Sequence, residues 1–416
     1  MTGPNTFSDT PSSHLSNIFA KLDKVALHDQ HFSKVNLQVP SKFTDNSEFV
    51  NHDNPVCSLE FHPTGAYVVY TRADGSLNLW KLKSDRTESY KPLTQDSTKE
   101  SINSTQSCIS WSPFTGFLFA TVNGSNVIRV YDASTGANIK SLNSDDECEY
   151  NLCLYDPSGK WLAAVTQDNQ ISLFDVDAEY QLAWKSSLNK TAHTSQFVPK
   201  PANDSPSSHV TSFIWSHDST KIYAAFDSGK IEIYDVLATG IQGLIGVSGH
   251  TGPVNCMRLD QTGSYLIAGG EDTICSIWDL ASMCCTLTIN DFPDSIRDMD
   301  LSHDGSLLAL SSPSCTHIYT LEERASIHKI EFDSKVSRPK FRFYPGHSTF
   351  ILTTEKDLVS KYHRPDPADE ANRNGIHNTT AADKKPRPDR RSGNGGRRRD
   401  ADAPLKSRFV RRSARR

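Results

Sequence analysis

The chain has 416 residues, of which 36% are hydrophobic and 22% charged, and a formal net charge of −5. No run of about 18 apolar residues occurs, which excludes a transmembrane helix, and the first residues (MTGPNTFSDTPSSHLSNIFAKLDK) lack the basic start and apolar centre of a secretory signal. Nine cysteines, an odd number without a secretory context, argue against a disulfide framework and for an intracellular protein.

Residues 1–31 read as a flexible leader; His28 and His31 are two imidazoles there without further metal ligands. Phe32–Val39 (FSKVNLQV) then alternates apolar and polar residues, as a half-buried strand would, the alternative being continued disorder. From Val56 to His363 one pattern recurs seven times: an apolar run, a polar turn, a second apolar run, another turn, and an alternating strand ending on an aromatic residue. The copies span Val56–Trp80, Cys108–Asp132, Cys153–Val176, Ser212–Val236, Cys256–Leu280, Asp298–Leu321 and Lys340–His363.

The closing aromatics are Trp80, Tyr131, Phe174, Tyr234, Trp278, Tyr319 and Tyr362, spaced by 51, 43, 60, 44, 41 and 43 residues. Four of these spacings fall near the roughly 40–45-residue period of a WD40 propeller blade. The two long ones hold polar insertions, Ser84–Ser107 and Asn189–His209, which belong in surface loops because buried loops would strand backbone polar groups. Period-two alternation and frequent Pro and Gly exclude long helices. Four-stranded blades have two apolar faces and bury them by radial stacking. The expected fold is therefore all-β: a seven-bladed WD40 β-propeller over residues 32–363, with Phe32–Val39 as the latch strand that completes the last blade.

The repeat is degenerate. Trp-Asp closes one unit, at Trp278-Asp279, and Gly-His opens one, at Gly249-His250. Asp74, Asp168 and Asp272 stand six residues before a closing aromatic. Only the fifth unit combines His250, Asp272 and Trp278, three members of the polar network that braces a WD40 blade, with Gly269-Gly270 where a Ser often completes it. His250 reads as a buried structural histidine rather than a ligand. Five cysteines, Cys57, Cys108, Cys153, Cys256 and Cys275, fall in predicted strands as small hydrophobes, and Cys284-Cys285 has no partner at zinc spacing and reads as strand packing.

Residues 364–416 hold 16 Lys+Arg against 7 Asp+Glu, a net of +9, while the rest of the chain carries 28 against 42, a net of −14. The tail has too few apolar residues for a core and is expected to be disordered. Its basic clusters contain Lys384, Lys385, Arg387, Arg390 and Arg391, then Arg397, Arg398 and Arg399, then Arg411 and Arg412. Three readings stay open: a nuclear import signal, a nucleic-acid arm binding phosphates by counterion release, or a solubilising tail.

No phosphate loop, GxSxG elbow or HExxH helix occurs, and carboxylate pairs such as Asp145-Asp146 and Glu322-Glu323 lie in predicted turns. No catalytic, metal or cofactor site is expected. The reading is a binding module whose fold alone does not name its partners.

Leu152–Val176, His250–Phe292 with its Cys284-Cys285 pair, and Asp298–Ser312 resemble the WD-repeat subunit of the THO complex, most closely its fungal form, and the basic tail is similar in character. This resemblance implies a non-catalytic nuclear scaffold within TREX, docked on large helical THO subunits. It further implies a role coupling transcription elongation to mRNP packaging and mRNA export, and indirect links to a DEAD-box RNA helicase and an RNA-binding export adaptor. No catalytic residues carry over. The alternative is a WD40 adaptor of another nuclear complex, either a ubiquitin-ligase receptor or a chromatin peptide reader; the latter needs an electronegative, aromatic-rimmed central channel.

Overall fold

A computed structural model describes residues 42–43, 55–83, 86–93, 107–114, 116–144, 148–188, 208–321, 326–332, 334–345, 350–355 and 358–363. The chain divides into two units, Met1–Asp366 and Pro367–Arg416, and the second lies outside the described residues. The leader, the expected latch Phe32–Val39 and every basic residue singled out in the tail, from Lys384 to Arg412, also lie outside them.

Each alternating run of the sequence forms an antiparallel strand, and four consecutive strands form a sheet. Blade 1 is β2 (Val56–Phe61), β3 (Tyr67–Arg72), β4 (Leu77–Lys83) and β5 (Arg86–Leu93). Blade 2 is β6 (Ser107–Trp111), β7 (Leu118–Asn123), β8 (Val127–Asp132) and β9 (Ala137–Asn143). Blade 3 is β10 (Tyr150–Tyr155), β11 (Trp161–Thr166), β12 (Gln170–Asp175) and β13 (Gln181–Ser187). Blade 4 is β14 (Val210–Trp215), β15 (Lys221–Phe226), β16 (Lys230–Leu237) and β17 (Gly240–Ser248). Blade 5 is β18 (Val254–Leu259), β19 (Tyr265–Gly270), β20 (Cys275–Asp279) and β21 (Cys284–Ile289). Blade 6 is β22 (Asp298–Leu301), β23 (Leu307–Ser311), β24 (Cys315–Thr320) and β25 (Ser326–Glu331).

Among the described residues, six complete blades therefore stand where seven were expected. The last repeat unit supplies three strands among them, β26 (Phe341–Phe343), β27 (Phe350–Glu355) and β28 (Leu358–His363). Its sheet is a composite, in the order β1-β28-β27-β26, whose fourth member β1 is the two-residue bridge Lys42–Phe43. The register there is Lys42 with Ser360 and Phe43 with Val359. The edge pairing thus comes from residues C-terminal to the expected latch. The physical reason for the shortfall is chain supply: after Tyr362 the sequence turns basic and no fourth apolar run follows.

The core lies in the seams between sheets. Second strands are buried on both faces, β3 and β19 at all six positions, because a neighbouring sheet covers each side. Outer strands β9 and β21 are mostly exposed. The seam between blades 3 and 4 packs Ala163, Leu173 and Trp184 against Phe213, Trp215 and Ile222. A fully buried large apolar side chain contributes about 1.5–3 kcal/mol.

The composite sheet joins blade 1 through Tyr344, which lies in the cluster of Val56, Leu59, Phe61 and Trp80. The Tyr344 and Phe61 rings meet edge to face at 5.6 Å. Gly65 is required at this joint: its φ is +72°, and a Cβ there would overlap the Tyr344 ring. First strands lie toward the axis, each beside the next, with β26 between β22 and β2.

Candidate functional site

Among the described residues, two places gather side chains with chemistry: the polar brace of blade 5 and the axial channel. In blade 5, the His250 Nδ1–H donates to Asp272 Oδ1 at 3.0 Å, and the Thr251 backbone N–H donates to Asp272 Oδ2, also at 3.0 Å. An ionised carboxylate only accepts, so the proton sits on Nδ1 and Nε2 is the acceptor. Ser276 Oγ donates to that Nε2 at 2.7 Å and accepts from the Trp278 indole N–H at 2.8 Å. His250 and Ser276 are buried, so the chain of bonds satisfies groups that would otherwise be orphaned.

The structure thus brings His250, Asp272 and Trp278 together, and the hydroxyl that completes them belongs to Ser276. Gly270 instead leaves room for the brace, since a Cβ there would collide with His250 and Asp272. Gly249 is glycine for a related reason, because a Cβ would overlap the Trp278 ring. The signal for Ser276 was present in the sequence, because it stands two residues before the closing aromatic and therefore on the same strand face. The same offset recurs in other blades with different chemistry. Tyr234 donates its hydroxyl to Glu232 in blade 4, and Tyr319 meets His317 Nδ1 at 3.3 Å in blade 6.

The axial channel holds a cavity of about 690 Å³ lined by first-strand residues. Four first strands shift register at their start, at Val56/Ser58, Tyr150/Leu152, Val210/Ser212 and Val254/Cys256. The extra residues, Cys57, Asn151, Thr211 and Asn255, all line the cavity. A bulge re-aims the side chain it carries, and here four bulges place side chains around one opening. Thr211 donates its hydroxyl to the Val254 carbonyl of the next blade, and Asn255 Nδ2 donates to the Ile296 carbonyl at 2.8 Å. These bonds tie blade 4 to blade 5, and blade 5 to the segment that enters blade 6.

One wall of the channel is charged. Arg342 on β26 donates through Nη1 to Asp298 Oδ2 of β22 at 2.7 Å and through Nη2 to Glu60 Oε1 of β2 at 2.6 Å. Arg258 on β18 donates through Nε to Asp300 Oδ1 at 3.5 Å, and its Nη2 lies 3.9 Å from Glu60. The carboxylates also order the backbone: Asp298 accepts the Phe341 N–H at 2.9 Å and Asp300 the Phe343 N–H at 2.8 Å. Burial pushes both carboxyls up. At Asp298 burial is the largest single influence, but the charges of Arg342, Lys340 and Arg258 and the Phe341 N–H together outweigh it and hold the group below its ordinary range. At Asp300 burial wins and the group titrates higher than usual. Burial of Arg342 would favour its neutral form, but Asp298 and Glu60 keep it charged. Nothing local in the sequence marks this cluster.

The thiols on the first strands behave as small core groups. Burial pushes Cys57 upward and Cys256 up to about 12. Cys284 and Cys285 are exposed on β21, not packed in a strand core as their sequence pattern suggested. Among the described residues, no cluster of three or more His, Cys, Asp or Glu is arranged to hold a metal ion.

The family model for the WD domain, G-beta repeat, matches residues 44–81 and 243–279, the second span ending just after the closing Trp278 of the blade 5 brace. The chain carries WD40 repeats. Over 360 residues it is 27% identical to protein TEX1 of Saccharomyces cerevisiae, covering 84% of this chain and 81% of that one. It is 21% identical to THO complex subunit 3 of Arabidopsis thaliana, covering 70% of this chain and 84% of that one. Among solved structures, the β-propeller domain of Cps50 (Swd1) from Myceliophteria thermophila aligns with a TM-score of 0.59 at 14% identity, over 74% of this chain and 96% of that one, a likeness of fold. WD40 propellers generally act as non-catalytic scaffolds that bind partners.

Proposed function

We propose that this WD40-repeat chain is a non-catalytic scaffold subunit of a THO-type complex, working in the nucleus as part of TREX to couple transcription elongation to mRNP packaging and mRNA export. The observation that carries the reading is the alignment with THO complex subunit 3 of Arabidopsis thaliana, which runs along most of both chains rather than through one generic repeat. The alignment with yeast TEX1 covers still more of this chain. A rigid ring with exposed outer strands offers several separate surfaces, which suits a subunit that docks on large helical partners. In this reading the tail around Lys384–Arg416 adds phosphate affinity or directs import.

The test is reconstitution: the purified chain mixed with helical THO subunits should co-elute as one complex on size exclusion. Separate elution would remove the THO assignment and leave the adaptor of another nuclear complex. The channel bears on that second reading. Its described lining carries Arg258, Arg297, Arg338, Lys340 and Arg342 against Glu60, Asp227 and Asp298. An excess of cations argues against a reader of basic peptides, which needs the opposite sign.

A further inference from the structure

Cys108 on β6 and Cys153 on β10 meet at the seam between blades 2 and 3. The Cys108 thiol donates to the Cys153 carbonyl at 3.2 Å, and the two thiols are hydrogen bonded to each other. The strands are held in this register a little further along, where Ser110 Oγ accepts the Tyr155 N–H at 2.9 Å; both pairs stand 45 positions apart in the chain. The thiols differ in access. Cys153 is fully buried beside Val122, Tyr150 and Ala164, whereas Cys108 is half-buried and lines the axial channel. They differ in acidity too. The Cys153 thiol, by hydrogen bonding to the Cys108 sulfur, favours its thiolate and holds Cys108 below the ordinary thiol range, against burial, which pushes it up. Cys153 itself is pushed well above that range by the bond to Cys108 and by burial. Cys57 and Cys256, also in the channel lining, are pushed up by burial. Cys108 is thus the exception among these first-strand thiols and carries more of the nucleophilic thiolate form.

We propose that Cys108 and Cys153 are a peroxide-sensitive dithiol, Cys108 attacking and Cys153 resolving, that closes to a disulfide across the seam between blades 2 and 3. The Cys108 thiolate attacks one oxygen of hydrogen peroxide. The O–O bond breaks, Cys108 becomes a sulfenic acid, and the leaving hydroxide takes up a proton to form water. The Cys153 sulfur then attacks the Cys108 sulfur, the S–O bond breaks, and the hydroxyl leaves as water with the Cys153 proton. The two thiols lose two electrons and the peroxide gains them. The sulfurs close from hydrogen-bond contact to about 2 Å, a movement within reach of side-chain rotation. Cys284 and Cys285 are more exposed, but as neighbours on one strand they point to opposite faces and cannot resolve one another. Nothing in this chemistry depends on the THO role.

The test exposes the full chain to hydrogen peroxide, blocks the remaining thiols and maps the peptides by mass spectrometry without reductant. A linked Cys108–Cys153 peptide is expected, lost on treatment with dithiothreitol. Cys153→Ser should abolish the link and leave Cys108 as a sulfenic acid, with dimedone labelling there raised several-fold over wild type. Cys108→Ser should lose both the link and the label. The oxidised wild type should unfold at higher urea than the reduced form, because the cross-link constrains the unfolded chain over 45 positions, and oxidised Cys108→Ser should show no such shift. The wild-type map decides the matter even where a serine variant fails to fold. Absence of the link at peroxide levels that oxidise Cys284 and Cys285, a link from Cys108 to another cysteine instead, or equal labelling of Cys108 in wild type and folded Cys153→Ser would each overturn the proposal.

Discussion

Arg342 donates to Asp298 at 2.7 Å, joining the composite sheet to blade 6, and the same guanidinium donates to Glu60 of blade 1 at 2.6 Å. One side chain therefore spans three sheets at the place where the two ends of the repeat array meet. Removing one partner of a buried ion pair leaves a charge without compensation. Asp298→Asn should destabilise the propeller by about 3 kcal/mol at neutral pH. Thermal unfolding of wild type and variant should differ clearly at pH 7. The sign is set by the depressed folded-state pKa of Asp298: its stabilisation is present above the unfolded carboxylate pKa and fades as pH falls through the folded value. Asp300, raised by burial, acts in the opposite sense: its contribution is full below the unfolded pKa and is lost as pH rises through its folded value. Asp300→Asn should therefore lose less stability at pH 7 than Asp298→Asn.

The blade 5 brace makes a second prediction. Ser276→Ala leaves the Trp278 N–H without its acceptor and His250 Nε2 without its donor. The loss should be about 2–4 kcal/mol for two orphaned buried groups, seen as a lowered midpoint in chemical denaturation. Ser276→Thr, which keeps the hydroxyl, should recover part of it.

Gly65 carries a third. Substitution by Ala forces an L-residue to φ +72° and drives its Cβ into the Tyr344 ring. The left-handed conformation alone costs about 1–2 kcal/mol, and the overlap adds to it. Gly65→Ala paired with Tyr344→Ala should be less destabilising than the sum of the two single changes, as measured in a double-mutant cycle.

Asp218 sits in the turn of blade 4, where the Ser216 hydroxyl donates to its Oδ1 at 2.5 Å and Thr220 donates from both N–H and Oγ. The Ser216 bond, with help from Thr220, holds the carboxyl at about 2. Its contribution to stability is present above the unfolded carboxylate pKa and disappears as pH falls through about 2. Ser216→Ala should bring the NMR titration of Asp218 back toward the ordinary value.

The tail is tested separately. Deletion of Lys384–Arg416 should weaken binding to single-stranded RNA and flatten the dependence of affinity on salt, because fewer counterions are released. Equal salt slopes with and without the tail would leave import or solubility as its role.

Much of the ring was legible in the sequence because period-two alternation and aromatic closure are local signals. Tyr131, Phe174, Tyr234, Trp278 and Tyr319 all lie in the third strand of their blades, as the repeat required. His250, Asp272 and Trp278 were legible because they share one unit. Ser276 was missed because a serine in a strand carries little signal until its place two before Trp278 is read as a shared face. The Arg342–Asp298–Glu60 cluster was illegible because Glu60 and Arg342 stand 282 positions apart and meet only through the closure of the ring. The expected seventh complete blade failed at the level of strand count, since repetition of a motif does not supply a fourth strand where the apolar pattern stops.

A THO-type scaffold travels with its helical partners. Affinity capture of the full chain from nuclei, followed by quantitative mass spectrometry, therefore probes the proposed role at its root. Large helical THO subunits are expected in amounts comparable to the bait. Their absence, with stoichiometric recovery of a different complex such as a ubiquitin ligase, would contradict that role.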